Sequence, residues 1–184
     1  TPLGFEIGRL KLIIGDETGL AELDKTLFDE KLSDRTMPIL ITEYFKRGKK
    51  SELLVIADKL KVKLPTSRNG WIIAGMIALQ DRNTSLAKEQ FKHILTFKPM
   101  DDAALVQLSK IYAQEKDYKQ ALSYVEQVLS NKPTKVELLT LKARLVFAST
   151  KESKLADDVF IQAYNQHQTD NLLVERALIH ARNS

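Results

Sequence analysis

The chain contains no cysteine. That absence excludes a disulfide framework, a thiolate nucleophile and any zinc or iron–sulfur site ligated by Cys. It leaves the redox compartment open, because exported and cytosolic proteins alike can lack Cys. Long apolar runs are missing too. Leu10 to Ile14 and Met37 to Ile41 fall well short of the roughly 18 residues a membrane helix needs. Glycine and proline are sparse, seven and five in 184 residues, which suits a chain rich in helix. Gly-rich phosphate loops and nucleophile-elbow serines do not occur. The net charge of +4 is small beside 28 basic and 24 acidic residues and does not by itself imply nucleic acid. The chain opens Thr1-Pro2-Leu3 with no initiator Met and no signal-peptide layout, and reads as a piece of a longer protein.

What is present is a period. Pro65, Pro99 and Pro133 stand 34 residues apart. The same step carries Tyr44 to Ala78, Tyr112 and Val146, Leu60 to Ile94 and Val128, Ala87 to Ala121, and Phe91 to Val125. Near the start the step is 33, taking Gly8 to Ile41, Gly15 to Gly48 and Leu27 to Leu60. Internal repetition at such a period is the signature of stacked supersecondary units, each unable to bury its apolar face alone.

Two helical patterns alternate within each period. Trp71 to Leu79 is apolar nearly all round, as expected for a helix packed on both sides. A break follows at Gln80 to Thr84, with Thr84 or Ser85 available as an N-cap. Leu86, Ala87, Gln90, Phe91, Ile94 and Leu95 then mark one face of an amphipathic helix that must stop before Pro99. The next period repeats the scheme with Ala103 to Gln114, a turn at Glu115 to Asp117, and Tyr118 to Ser130 before Pro133.

Trp71, Gly75, Ala87, Phe91 and Pro99, with Leu105, Leu108, Tyr112, Ala121 and Pro133, resemble the tetratricopeptide repeat signature. The resemblance implies an all-α fold, a right-handed α-α superhelix of about five helical hairpins plus a terminal helix. It implies one solenoid domain over 1–184, with repeats at about 1–33, 34–67, 68–101, 102–135 and 136–170 and a last helix at 171–182. Gly75 and Ala87 are expected where the two helices of a hairpin cross most closely. Three departures carry expectations of their own. Ile41 and Leu53 replace the small residues in the second repeat, so that hairpin is expected to be wider. In the fifth, Ala143 and Ala156 imply one extra residue in the turn Ser149 to Glu152. In the first, Gly19-Leu20-Ala21 shifts the small site.

Catalytic chemistry finds little support. His93, His167 and His180 lie far apart and share no spacing with a second His or a carboxylate, and no metal or cofactor is expected. The acidic pairs Asp16-Glu17, Asp101-Asp102 and Asp157-Asp158 read as groups at or near helix starts, where negative charge meets the helix dipole, rather than as acid/base pairs.

The resemblance points instead to the first helix of each hairpin, which lines the concave groove of such solenoids. It implies that Phe5, Arg9 and Leu12, Thr42, Phe45 and Lys46, Ile72, Met76 and Leu79, Val106, Lys110 and Ala113, and Thr140, Arg144 and Phe147 face a bound peptide or protein segment. The alternative is that some of the apolar ones pack between repeats. Exposed together, they give an apolar floor with Arg9, Lys46, Lys110 and Arg144 spaced along it, suited to apolar anchors with some acidic groups. Tetratricopeptide domains that grip chaperone C-terminal carboxylates use a Lys/Asn/Arg set. Here Thr42, Ile72, Met76, Val106 and Thr140 stand at such places, so that clamp is not reproduced.

Charge is uneven along the chain. Residues 16–34 carry a net −5 and residues 46–68 a net +6. The plain reading is two solvated neighbouring faces that attract each other. The functional reading is an anionic partner: an acidic protein, polysaccharide, lipid headgroup or nucleic acid. Against nucleic acid, no aromatics interleave between Phe45 and Trp71.

Leu10 to Leu20 and the block from Ser67 to Asp102 also resemble a narrower group, the long tetratricopeptide lipoproteins that accompany bacterial exosortase and exopolysaccharide systems. That resemblance implies a periplasm-facing outer-membrane lipoprotein; without it a cytoplasmic protein is expected. The expected function is a protein–protein scaffold. The alternatives are a structural spacer that self-associates through terminal helices, and an anionic-polymer binder using the 46–68 face.

Overall fold

The computed structural model describes residues 1–133, 135–167 and Arg176. The helix expected over 171–182, with Leu173, Leu178, Ile179 and His180, lies outside the described residues apart from Arg176. The described residues form ten α-helices: α1 (Pro2–Ile13), α2 (Thr18–Thr26), α3 (Glu30–Lys46), α4 (Lys50–Lys63), α5 (Arg68–Gln80), α6 (Thr84–Phe97), α7 (Asp102–Gln114), α8 (Tyr118–Asn131), α9 (Val136–Thr150) and α10 (Ser153–His167). They fall into two compact units, Thr1–Phe97 and Lys98–Ser184.

In the first unit α1 packs on α2, α3 touches α2, α4 and α5, and α5 lies against α4 and α6. The near-continuous apolar run of α5 follows from that position. Ile72, Ile73, Ala74, Gly75, Ile77 and Ala78 are all buried. The hairpin of α5 and α6 closes where Gly75 meets Phe91: a Cβ at Gly75 would stand 2.6 Å from the Phe91 ring. Phe91 is fully buried there, worth about 1.5–3 kcal/mol relative to exposure. The first hairpin closes on glycine from both helices, since a Cβ at Gly19 would stand 2.5 Å from the Gly8 carbonyl oxygen. The second has Ile41 and Leu53 at these places, both buried, and α3 and α4 touch less than the helices of any other hairpin. The expected widening is observed.

In the second unit α7 packs on α8, α8 on α9 and α9 on α10. Leu105, Leu108 and Ile111 from α7 meet Ala121, Val125 and Val128 from α8 in the core. The buried Ser109 hydroxyl donates to the Ala121 carbonyl at 2.9 Å, so the crossing is also satisfied in polar terms.

The turns show why the period is strict. After α1, α3, α5 and α7 the chain closes in a Schellman motif, with a left-handed residue at Gly15, Gly48, Arg82 and Lys116. The paired bonds recur in register: Gly15 N–H to Leu12 and Asp16 N–H to Lys11, then Gly48 to Phe45 and Lys49 to Tyr44, Arg82 to Leu79 and Asn83 to Ala78, Lys116 to Ala113 and Asp117 to Tyr112. Around Gly15 and Gly48 there is open space, so glycine serves the positive φ there and not a close approach. The fifth turn differs. Its left-handed residue, Lys151, comes 35 after Lys116, and the Ser149 and Thr150 hydroxyls both donate to the Val146 carbonyl. This is the extra residue expected between Ser149 and Glu152.

One helix start departs from expectation. Asn83, and not Thr84 or Ser85, caps α6: its Oδ1 accepts from Leu86 N–H at 3.0 Å. The Asn amide oxygen reaches that donor from one residue further out, immediately after the left-handed Arg82. Helix α3 begins at Glu30 because Asp29 caps it, accepting from Lys31 N–H at 3.0 Å. That leaves Pro38 inside the helix, where it cannot donate to the carbonyl of Asp34. The second helices end as the prolines require. Leu64 and Lys132, each preceding a proline, leave the helical region at φ −134° and −133°.

One buried carboxylate is incompletely satisfied. Asp24 on α2 accepts from the Tyr44 hydroxyl at 2.8 Å through Oδ2, while its buried Oδ1 has no hydrogen-bond partner among the described residues. Burial pushes the Asp24 carboxyl above its ordinary range against the opposing Tyr44 bond, and Glu52 raises it further. Burial, with the Asp24 bond, likewise drives the Tyr44 hydroxyl well above its usual value.

The turns and the buried carboxylate are each open to test. A non-glycine residue in the left-handed region costs about 1–2 kcal/mol, partly offset by the entropy glycine loses on folding. Arg82→Gly and Lys116→Gly are each expected to stabilise by about 0.5–1 kcal/mol, read as a higher denaturation midpoint at unchanged m. An unchanged or lower midpoint would show that these side chains contribute more than their backbone strain removes. For Asp24, the raised folded-state value means stability that is full below the unfolded pKa and is lost as pH rises through the folded one. Asp24→Asn removes that dependence. The Tm difference between parent and variant is expected to move in the parent's favour as pH falls from 7 to about 4. A constant difference across that range counts against the burial argument.

Candidate functional site

The fifteen residues implied by the resemblance divide between the two units, and each unit is considered by itself. In the first unit, Phe5 and Ile72 are 3% and 5% exposed and take no part in the surface. Phe5 is covered by the Arg35 guanidinium, 4.6 Å from its ring centroid. Ile72 sits in the fully packed stretch of α5. Both are corrections to their expected groove-facing role. Leu12 is half-buried against the close crossing at Gly19. Phe45 on α3 and Met76 and Leu79 on α5 are half-buried, and Thr42 is exposed, its hydroxyl donating to the Pro38 carbonyl at 2.9 Å. The cations expected here are engaged on their own helices: Arg9 with Glu6 at 3.0 Å and Lys46 with Glu43 at 3.1 Å.

The second unit brings its residues together. Val106 and Lys110 from α7 and Thr140 and Arg144 from α9 line one pocket of about 490 Å3. Lys135, Glu137, Leu138 and Leu141 complete it. Leu138 is buried and forms floor, Val106 and Leu141 are half-buried, and Lys110, Lys135 and Arg144 stand exposed at the rim. Lys110 and Lys135 make no ion pair among the described residues. The rim thus carries Lys110, Lys135 and Arg144 with Glu137 over an apolar base. Ala113 and Phe147 are half-buried and lie outside its lining. The four additional lining residues escaped the sequence reading, although helical spacing carried a signal: Glu137, Leu141 and Arg144 follow at i, i+4 and i+7.

The basic run at 46–68 is largely neutralised by carboxylates of its own unit. Arg47 pairs with Glu43 and Glu17, Lys49 with Glu17 at 2.8 Å, Lys50 with Asp81, Lys61 with Asp58 at 3.8 Å, and Arg68 with Asp34. With Lys46 this accounts for six of the eight bases. The Arg47 contact pushes the Glu43 carboxyl below its ordinary range, and the Lys49 contact does the same for Glu17. Lys59 and Lys63 remain along α4, where they border a depression of about 340 Å3 with Val55, Asp58 and Val62.

Of the histidines, His93 is exposed on α6 and stacks on Trp71, ring centroids 3.8 Å apart, with Phe97 at 5.9 Å. Lys61 completes this surface cluster, its ammonium 4.7 Å from the Trp71 ring centroid and bonded to Gln90 Oε1 at 2.9 Å. Burial lowers the Lys61 ammonium pKa below its usual value. The acidic pairs act structurally. Asp16 accepts from Thr18 N–H, Asp101 caps α7 through Ala104 N–H, and Asp157, inside α10, holds Arg176 through both carboxylate oxygens at 3.0 and 3.3 Å. Among the described residues no group of three His, Asp or Glu could hold a metal ion. No helix among them is long and apolar enough to cross a membrane.

Residues 103–135 match the family model of the tetratricopeptide repeat. No curated protein matches the chain in sequence. Among solved structures, a thermophilic tetratricopeptide repeat protein of Thermus thermophilus is similar over 98% of both chains, at 17% identity and TM-score 0.69. MamA from Desulfovibrio magneticus RS-1 is similar over 91% of this chain and 94% of its own, at 15% identity and TM-score 0.63. A chain of the APC/C hetero-tetramer Cut9–Hcn1 is similar over 95% of this chain and 35% of its own, at 20% identity and TM-score 0.68. Identities this low show the fold alone. The fold is all-α, of the tetratricopeptide type expected from the 34-residue step, and one of its hairpins, α7 with α8, also carries that repeat in sequence.

Proposed function

We propose that this chain is a protein–protein scaffold whose second unit captures a partner segment in the pocket between α7 and α9. The observation that carries this reading is the pocket itself. Val106, Leu138 and Leu141 offer apolar contact, and Lys110, Lys135 and Arg144 offer positive charge at its rim. Such a surface suits an extended or helical segment with an apolar anchor and one or more carboxylates beside it. Tetratricopeptide architecture supports a binding role in general, and the likeness to a chain of a hetero-tetramer is in keeping with it. In the first unit the support is less: Phe45, Met76 and Leu79 are half-buried, and the cations expected beside them are tied to Glu6 and Glu43. A place in the assembly of an export or exopolysaccharide system is the narrower form of this proposal. It rests on the repeat texture of residues 10–20 and 67–102 alone.

The polymer-binding alternative has less support, since six of the eight bases at 46–68 already face carboxylates. Exposed ion pairs contribute roughly 0–1 kcal/mol each, so they shape the surface charge more than they hold the fold.

Selection of a random peptide library against the chain tests the proposal directly. Enriched peptides are expected to carry Asp or Glu within a few residues of a large apolar side chain. Lys110→Glu is expected to weaken a selected peptide about tenfold or more, as loss of a charged hydrogen bond and gain of repulsion imply. Lys59→Glu on α4 serves as the control and should leave binding unchanged. Enrichment without acidic residues, or equal loss in both variants, would overturn the assignment to this pocket.

A further inference from the structure

We propose that Asn69-Gly70, in the first turn of α5, is a latent modification site. The folded first unit blocks its deamidation. Each opening of α5 exposes it to conversion into aspartate or isoaspartate, after which α5 cannot reseat. The dipeptide occurs once in the chain. Asn followed by Gly is especially open to this reaction, because glycine leaves the attacking backbone nitrogen unhindered and the backbone free to turn. The repeat does not call for it: the positions 34 residues to either side hold Arg35-Thr36 and Ala103-Ala104. Two separate packing requirements bring the pair about. Asn69 is 3% exposed, and its side-chain amide donates to the Leu27 carbonyl at 3.2 Å. Leu27 ends α2, so this bond satisfies a carbonyl left over at a helix C-terminus and ties α2 to α5. Gly70 is buried where α5 meets α4, and a Cβ there would stand 2.6 Å from the Ala57 carbonyl oxygen.

The chemistry needs only the chain and water. Hydroxide takes the Gly70 amide proton, and the freed nitrogen bonds to Asn69 Cγ. The Cγ–Nδ2 bond breaks, and the side-chain nitrogen takes up a proton and departs as ammonia. Water then opens the cyclic imide at either carbonyl, leaving aspartate or an isoaspartate whose backbone runs on through Cγ. The folded chain opposes the first step in several ways. In a helix the Cα–Cβ bond leans toward the N-terminus, away from the nitrogen of the following residue. The Leu27 bond holds the side-chain amide in place, and burial of both residues keeps hydroxide from the Gly70 N–H. The products do not fit the site that blocked them. Aspartate sets a carboxylate oxygen against the Leu27 carbonyl, acceptor against acceptor, in a buried position. Isoaspartate lengthens the backbone beside Gly70, where the α4 backbone leaves no room even for a Cβ. An opening of the first unit is therefore recorded irreversibly.

Peptide mapping by mass spectrometry tests this on the whole chain, held at mildly alkaline pH either folded in buffer or unfolded in urea. The unfolded chain is expected to convert at Asn69 as fast as a synthetic peptide of residues 65–75, with isoaspartate among the products. The folded chain should convert slower by on the order of a hundredfold or more, since only its open fraction reacts. Phe91→Leu loosens the α5–α6 hairpin without touching the dipeptide. It should speed conversion of the folded chain several-fold and leave the unfolded rate unchanged. Returned to buffer, converted chains should melt at a lower temperature than unconverted chains given the same urea treatment, and Asn69→Asp should share that loss. Equal rates in the folded and unfolded chain, indifference to Phe91→Leu, or converted chains that regain the parent Tm would each overturn the proposal. Faster conversion at Asn83 or Asn131 than at Asn69 in the unfolded chain would overturn it equally.

Discussion

Every hairpin here depends on how closely two helix backbones can approach, and that is decided by a single side-chain volume at each crossing. Where the position is glycine, as at Gly75 against Phe91 or Gly8 against Gly19, the partner helix can seat a ring or a backbone carbonyl in the vacated space. Dispersion contacts fall off steeply with distance, so a crossing a fraction of an ångström wider loses much of what a fully buried Phe91 gains. The period of the chain follows from this requirement. The crossing residues, the left-handed turn residue and the terminating proline must keep a fixed offset, or the next stripe presents its apolar side to water. The second hairpin shows the constraint by relaxing it. With Ile41 and Leu53 at the crossing, α3 and α4 separate, and α3 takes part of its packing from α2 and α5 instead.

The turns carry the second constraint. Four of the five first helices end in the same hydrogen-bonded closure, yet only two use glycine at its left-handed position. Arg82 and Lys116 hold the same backbone at a local energetic disadvantage that the packed helices on either side outweigh. Strain of about 1–2 kcal/mol per turn is tolerable where each hairpin buries several large side chains worth about 1.5–3 kcal/mol apiece. Asp24 is tolerated in the same way, its incompletely satisfied carboxylate offset by the Tyr44 bond and the surrounding α2–α3 contacts.

Much of the fold was legible because repetition multiplies weak signals. A single proline or glycine is ambiguous, but Pro65, Pro99 and Pro133 in step, with Gly15 and Gly48 in step, leave little choice of element boundaries. The extra residue in the fifth turn was legible for the same reason, as a slip against a fixed period. Non-periodic local chemistry was harder to read. The capping of α6 by Asn83 was missed because three adjacent residues could all cap, and the choice depends on a left-handed Arg82 that no propensity favours. The start of α3 is set by the Asp29 cap and the buried Thr26–Thr36 hydroxyl bond at 2.7 Å, neither of which the repeat period marks.

The binding face was the least legible part, for a reason that lies in the pattern itself. A helix sandwiched between neighbours is apolar on nearly all sides, so periodicity cannot say which of its apolar residues meets water. Phe5 and Ile72 carry the same pattern as Met76 and Val106, yet the first two lie inside the packing and the others reach the surface. Charge does not resolve the ambiguity, because the position of a cation on a helix says nothing about the carboxylate three or four residues away. Arg9 and Lys46 look like Lys110 in sequence, but Glu6 and Glu43 sit at i−3 and engage them, whereas Lys110 has Gln107 at that position and keeps its charge at the rim of a pocket. A local rule therefore separates the two units: the helix that places an acid one turn before its base loses a binding charge, and the helix that places an amide there keeps it. That difference of one side chain leaves the charge of Lys110 on α7 at the rim of the pocket.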